Sequence, residues 1–181
     1  MLGVLVSGRG TNLQAILDAG LSVAAVASNV AAAPALLRAE AVGIPTAVFR
    51  LEDFPTRDAR DAAMAGWLES RGVTVVVCAG YMHLLTPGFL ARFRAINVHP
   101  SLLPRFPGTH AVEDALAAGL EETGVTVHFV DEGTDTGPVI AQEAVPVLAG
   151  DTADTLRARI QAVEHRLLPE VLHLYLAGGL G

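Results

Sequence analysis

An amide and an imidazole stand two residues apart in Ala95-Ile96-Asn97-Val98-His99-Pro100, where an apolar run meets a proline-rich loop. Side chains in a strand alternate between faces, so Asn97 and His99 should point the same way. Pro100 keeps the residue before it extended, which carries that alternation through His99. An amide donor beside a titratable ring suits a reaction in which a carbonyl oxygen gains negative charge while a proton moves. A capped strand end with an incidental histidine fits the local pattern equally well.

Two other segments carry chemistry. Ser7-Gly8-Arg9-Gly10-Thr11-Asn12-Leu13 joins a first strand to a first helix. Glycines let backbone approach a ligand, and the unpaired N–H groups of a helix start favour an anion. A dinucleotide fingerprint would need glycine where Leu13 stands and an acid after the second strand, where Ser28 and Asn29 stand. A single phosphate is the better reading; the alternative is a tight turn with Thr11 or Asn12 as helix cap. Further on, Asp131-Glu132-Gly133-Thr134-Asp135-Thr136-Gly137-Pro138 carries three acids and two glycines. Alone it reads as a solvated hairpin turn. Next to His99, one of its carboxylates would favour the imidazolium and make it a general acid near neutral pH.

The elements that must position these residues alternate along the chain. Strands are expected at 2–6, 23–28, 46–49, 73–79 and 95–99. Helices are expected at 12–19, 34–42, 57–71 and 110–118, with Thr86-Pro87 opening another. Two strands at 124–130 and 138–147 flank the acidic turn as a hairpin. A closing helix runs over about 152–177, kinked at Pro169. The fold class is therefore α/β: a doubly wound, mostly parallel sheet with a C-terminal β-hairpin and closing helix. One domain over 1–181 is expected, with halves 1–95 and 96–181.

Composition narrows the function. Hydrophobic residues make up 51% of the 181 and aromatics only 5%, so the core is aliphatic, as a sheet covered on both faces requires. All 12 basic residues are arginine, and the net charge of −7 argues against a nucleic-acid partner. The single cysteine, Cys78, sits in an apolar strand and forms no disulfide within the chain. No Cys/His cluster has zinc spacing, so no metal is expected. No signal-type or membrane-spanning run occurs, and a cytoplasmic protein is expected.

Together these segments resemble the folate-dependent formyltransferases, in the branch that formylates glycinamide ribonucleotide during purine synthesis. The resemblance runs from Val4 to His165 and is carried by Asn97-Val98-His99-Pro100-Ser101-Leu102-Leu103-Pro104-Arg105-Phe106-Pro107-Gly108 and by Gly124-Val125-Thr126-Val127-His128-Phe129-Val130 with Asp135-Thr136-Gly137-Pro138. It implies a Rossmann-like fold and an attack of the ribonucleotide amine on the formyl carbon of 10-formyltetrahydrofolate. It implies Asn97 and His99 at the oxyanion and Asp135 tuning His99. It assigns Gly10, Thr11, Asn12 and Glu164 to the ribonucleotide. It assigns Arg57, Met82, His83, Leu84, Leu85, Asn97, Asp131, Glu132, Gly133, Thr134 and Asp135 to the folate cosubstrate. Small-molecule substrates, no nucleic acid, no membrane and a monomer or homodimer follow from it. It also implies a cis Leu103–Pro104 bond. Two departures stand out: His83 occupies a position where relatives often carry arginine, and Arg105 one where lysine is frequent. Methionyl-tRNA formyltransferases share the core but normally add a tRNA-holding domain, and the related deformylases an N-terminal one.

Overall fold

Leu2–Val6 form the first strand, β1, and all five residues are buried, as a strand covered on both faces requires. In this computed structural model, which describes residues 1–179, β1 pairs in parallel with β2 (Val23–Ser28) and β4 (Val75–Cys78). β2 pairs in parallel with β3 (Thr46–Val48), and β4 with β5 (Arg94–His99). The last two strands are β6 (Glu122–Phe129) and β7 (Val139–Pro146), and the sheet order is β3-β2-β1-β4-β5-β6-β7. Residues 180 and 181 of the expected domain lie outside the described residues.

The chain divides into two compact units, Met1–Asn97 and Val98 onward. In the first, α1 (Thr11–Asp18), α2 (Pro34–Ala41), α3 (Arg57–Glu69) and the short α4 (Pro87–Leu90) connect the parallel strands. α1 buries Leu13 and Ile16, and α3 buries Met64, Ala65 and Leu68, the apolar stripe of an amphipathic helix. A Cβ on Gly3 would stand 3.1 Å from Leu68 Cδ2 and 2.8 Å from Val73 Cγ1, so β1 carries glycine where α3 and its following loop press on it. Thr56 caps α3, its hydroxyl accepting from Ala59 N at 3.1 Å. A 3-10 turn at Leu51–Asp53, absent from the sequence expectation, is pinned by Arg50 donating to Asp53.

In the second unit α5 (Ala111–Ala117) precedes the antiparallel pair β6–β7, and α6 (Ala153–Leu176) closes the chain. α6 starts on a reciprocal cap between Thr152 and Thr155 and runs unbroken through buried Pro169, where a kink is expected from sequence. β6 begins two residues earlier than expected because Glu122 already pairs with Pro146. The strand register shifts between Val127 and His128. Such an irregularity re-aims a side chain beside a site. Among the described residues, no helix is long and apolar enough to cross a membrane.

Candidate active site

Asn97 sits on β5 opposite Cys78 of β4 and is partly exposed at the end of the strand. His99, two residues on, is 4% exposed. Its Nε2 lies 2.8 Å from the Phe106 carbonyl oxygen, which can only accept, so Nε2 carries a hydrogen. Its Nδ1 lies 3.3 Å from Asp135 Oδ2. Both ring nitrogens therefore face acceptors, an arrangement that only the imidazolium satisfies fully. Burial nevertheless pulls the His99 pKa below its ordinary value, against the Phe106 carbonyl and Asp135, which raise it. The sequence predicts a raised value; desolvation reverses the sign.

Asp135 is held on several sides. Its Oδ2 accepts from Gly108 N at 2.8 Å, and its Oδ1 lies 3.5 Å from His128 Nε2. Burial pushes its pKa up, but the hydrogen bonds from His128 and Gly108 and the two imidazoles together leave it below the usual carboxylate value. The sequence alone points to no role for His128. It lies on β6 with its Nδ1 2.8 Å from the Phe129 carbonyl oxygen, so its ring also faces two acceptors. Alternation on β6 puts His128 on the same face as Thr126, and that was the available signal.

The backbone around His99 is unusual at two points. Phe106 has φ 53° and Asp135 φ 55°, the only non-glycine residues at positive φ among those described. Phe106 aims its carbonyl at Nε2, and Asp135 aims its carboxylate at Nδ1. Left-handed non-glycine residues cost free energy and cluster where a side chain must be aimed. The loop that leads from His99 to Phe106 is anchored. Thr126 Oγ1 donates to the Ser101 carbonyl at 2.7 Å and accepts from Leu103 N at 3.1 Å, while Gln142 Nε2 donates to the Leu103 carbonyl at 2.9 Å. The Leu103–Pro104 bond is cis, as the resemblance implies. In the acidic turn, Asp131 Oδ1 accepts from Gly133 N at 3.0 Å and from Thr136 Oγ1 at 2.7 Å. A Cβ on Gly137 would stand 1.8 Å from the Phe129 carbonyl oxygen, so only glycine lets the turn close there. Glu132 and Thr134 are exposed, and Glu164 is buried on α6.

In the first unit the loop before α1 ends at Gly10, the helix cap, with φ 72° and no capping side chain. Thr11 and Asn12 are thus inside the helix rather than caps. A Cβ on Gly10 would stand 2.5 Å from Ala35 Cβ, so packing against α2 already demands glycine there; Gly8 has open space. Arg57 is exposed at the first position of α3. Met82 and Leu84 are exposed, His83 is half-buried, and Leu85 is a core residue at 4% exposure. Cys78 is buried and its thiol is pushed up to about 12, which makes it inert.

Residues 2–172 match the model of the family described as formyl transferase. A phosphoribosylglycinamide formyltransferase of Mycobacterium tuberculosis is 49% identical over 174 residues, 92% of this chain and 80% of the relative. A trifunctional purine biosynthetic protein of Drosophila pseudoobscura pseudoobscura is 44% identical over 189 residues; the match takes in 99% of this chain but 14% of that protein. A solved glycinamide ribonucleotide transformylase from Symbiobacterium toebii is similar at TM-score 0.95 and 48% identity, covering 98% of this chain and 87% of its own.

Proposed function

The chain belongs to the formyl transferase family, and from that premise we propose how its residues carry the reaction named by its relatives. It transfers the formyl group of 10-formyltetrahydrofolate to the amine of glycinamide ribonucleotide, a step of purine biosynthesis. The relatives called phosphoribosylglycinamide formyltransferase support this reading, as does the solved transformylase. The amine nitrogen attacks the formyl carbon and a new C–N bond forms. The formyl oxygen becomes an oxyanion. Asn97 donates from its amide, and the His99 imidazolium donates Nε2–H in exchange for its Phe106 carbonyl partner. When the bond to folate N10 breaks, the proton lost by the amine is delivered to N10, with Asp135 and His99 as its carriers.

The observation that carries this reading is the His99 ring held between the Phe106 carbonyl and the Asp135 carboxylate. That arrangement stabilises the charged imidazole against burial. Each oxyanion donor in a dry site contributes roughly 2.7–4 kcal/mol. The uncapped start of α1, with Gly10, Thr11 and Asn12, receives the ribonucleotide phosphate, and Glu164 contacts the same substrate. Arg57, the Met82–Leu85 segment and the Asp131–Asp135 turn meet the folate, Leu85 from the core side. The partners are these two small molecules; the compartment is the cytoplasm and the assembly a monomer or homodimer.

The test is to supply 10-formyltetrahydrofolate with and without glycinamide ribonucleotide and follow the folate product. Tetrahydrofolate should form only with the ribonucleotide present. Equal formation without it would make the protein a hydrolase and overturn the reading.

A further inference from the structure

Arg60 and Asp61, consecutive on α3, are both fully buried, and nothing in the transfer reaction uses them. Their ion pair is tight: Arg60 Nη2 lies 2.6 Å and Nε 2.8 Å from Asp61 Oδ1. The other carboxylate oxygen accepts from Thr86 N at 2.8 Å. The remaining guanidinium nitrogen, Nη1, donates to His83 Nδ1. The pair therefore holds the 80–86 segment at two points, Thr86 through the acid and His83 through the base. At its other end Met82 N donates to Ser7 Oγ at 2.9 Å. The Tyr81 ring meets the His83 ring edge-on, with centroids 5.9 Å apart.

A guanidinium is a donor only, so His83 Nδ1 must be the acceptor and its hydrogen sits on Nε2. Nε2 lies 3.3 Å from Asn29 Nδ2, while Asn29 Oδ1 accepts from Ser7 Oγ at 2.5 Å. That contact is satisfied when the amide turns its oxygen toward His83 and its nitrogen toward Ser7 Oγ. Both ring nitrogens then point into the protein, and the segment presents Met82 and Leu84 outward instead. Burial and then Arg60 hold His83 neutral, with Arg57 acting the same way and Asp61 and Glu52 opposing.

We infer that Arg60 is a positioning residue: from inside α3 it clamps Asp61 and His83 together and fixes the 80–86 segment in the shape the folate meets. This rests on the reading that the segment contacts the folate. His83 acts as part of the clasp and not as a polar ligand contact.

A substitution cycle tests this, using Arg60→Leu, His83→Arg and the double variant. Arg60→Leu leaves Asp61 buried without its partner, and an arginine reaching in from 83 restores one. The expected result is a KM for 10-formyltetrahydrofolate raised about tenfold by Arg60→Leu. The KM for the ribonucleotide and kcat at saturation should stay within about threefold, and the double variant should return toward the parent in KM and melting temperature. If Arg60→Leu does not fold, Arg60→Lys takes its place, with the same KM split expected at smaller size. Nitrogen-15 NMR of the unaltered protein should show His83 with its hydrogen on Nε2. A folate KM that does not move, a double variant no better than Arg60→Leu, or a hydrogen on Nδ1 would overturn the inference. The NMR and melting readouts need no turnover. A protein without formyl transfer would sink the proposed function and leave the clasp to be judged by these two.

Discussion

Replacing Asp135 by asparagine and by alanine separates what its carboxylate does from what its backbone does. Asparagine tolerates φ 55° and keeps an oxygen for the Gly108 N–H, so Asp135→Asn should fold with nearly parental stability. Alanine at that φ costs about 1–2 kcal/mol. Losing the acceptor for Gly108 N–H adds about 1–3 kcal/mol. The sum for Asp135→Ala is about 2–5 kcal/mol, toward the lower end because water reaches the turn. Chemistry should suffer in both variants alike, by roughly 100- to 10,000-fold in kcat, the range of acid–base assistance. The pH profile carries the sign. Transfer needs His99 charged, so activity falls as pH rises through its pKa. Burial already holds that pKa low and Asp135 opposes the drop; removing the carboxylate can only lower it further. The alkaline limb of kcat/KM should therefore move to lower pH in Asp135→Asn. Urea unfolding, pH–rate profiles and NMR titration of His99 measure the three parts. A kcat within threefold of the parent, or a His99 pKa unchanged or raised in Asp135→Asn, would refute the reasoning.

His99→Ala and Asn97→Ala should each fold and lose turnover, the second by roughly 100- to 1,000-fold in kcat as one oxyanion donor goes; single-turnover kinetics with both substrates checks this. Gly10→Ala should destabilise by about 2–5 kcal/mol in denaturant titration, through its positive φ and its approach to Ala35. Gly8→Ala, in open space, should leave stability within about 0.5 kcal/mol while raising the KM for glycinamide ribonucleotide and not for folate. Gly137→Ala should disrupt the turn, since its Cβ has no room beside the Phe129 carbonyl, and the His99–Asp135 geometry with it; loss of turnover together with altered His99 chemical shifts is the expected signature.

Asn97 and His99 were legible because strand alternation is local: two residues on one strand face can be read without knowing what lies across from them. The parallel half of the fold was legible for the same reason, from apolar runs punctuated by glycine and proline. What escaped depends on long-range encounters. His128 is 29 residues from His99 in sequence, and only the folded hairpin puts its ring on Asp135. Arg60 reads as an ordinary helix surface residue until α3 packs and buries it completely. The His99 pKa went the wrong way because a charge partner can be guessed from sequence whereas depth of burial cannot. Gly10 reads in sequence as letting the backbone approach a ligand, and the fold adds a second demand for glycine there, the close packing of α2. Pro169, where a bend is expected, stands on the buried face of α6, inside a helix that continues to Leu176.

The two left-handed residues around His99 set heat resistance against turnover in different ways. A screen for thermal survival alone would be drawn to both, since glycine relieves the backbone at either position. At Asp135 such a gain would discard the carboxylate that faces His99, and the surviving clones would be folded and silent. At Phe106 His99 uses only the main-chain carbonyl, which any residue provides. Position 106 is thus where this chain could be hardened without disarming it, and position 135 is where a stability screen must be paired with a functional one.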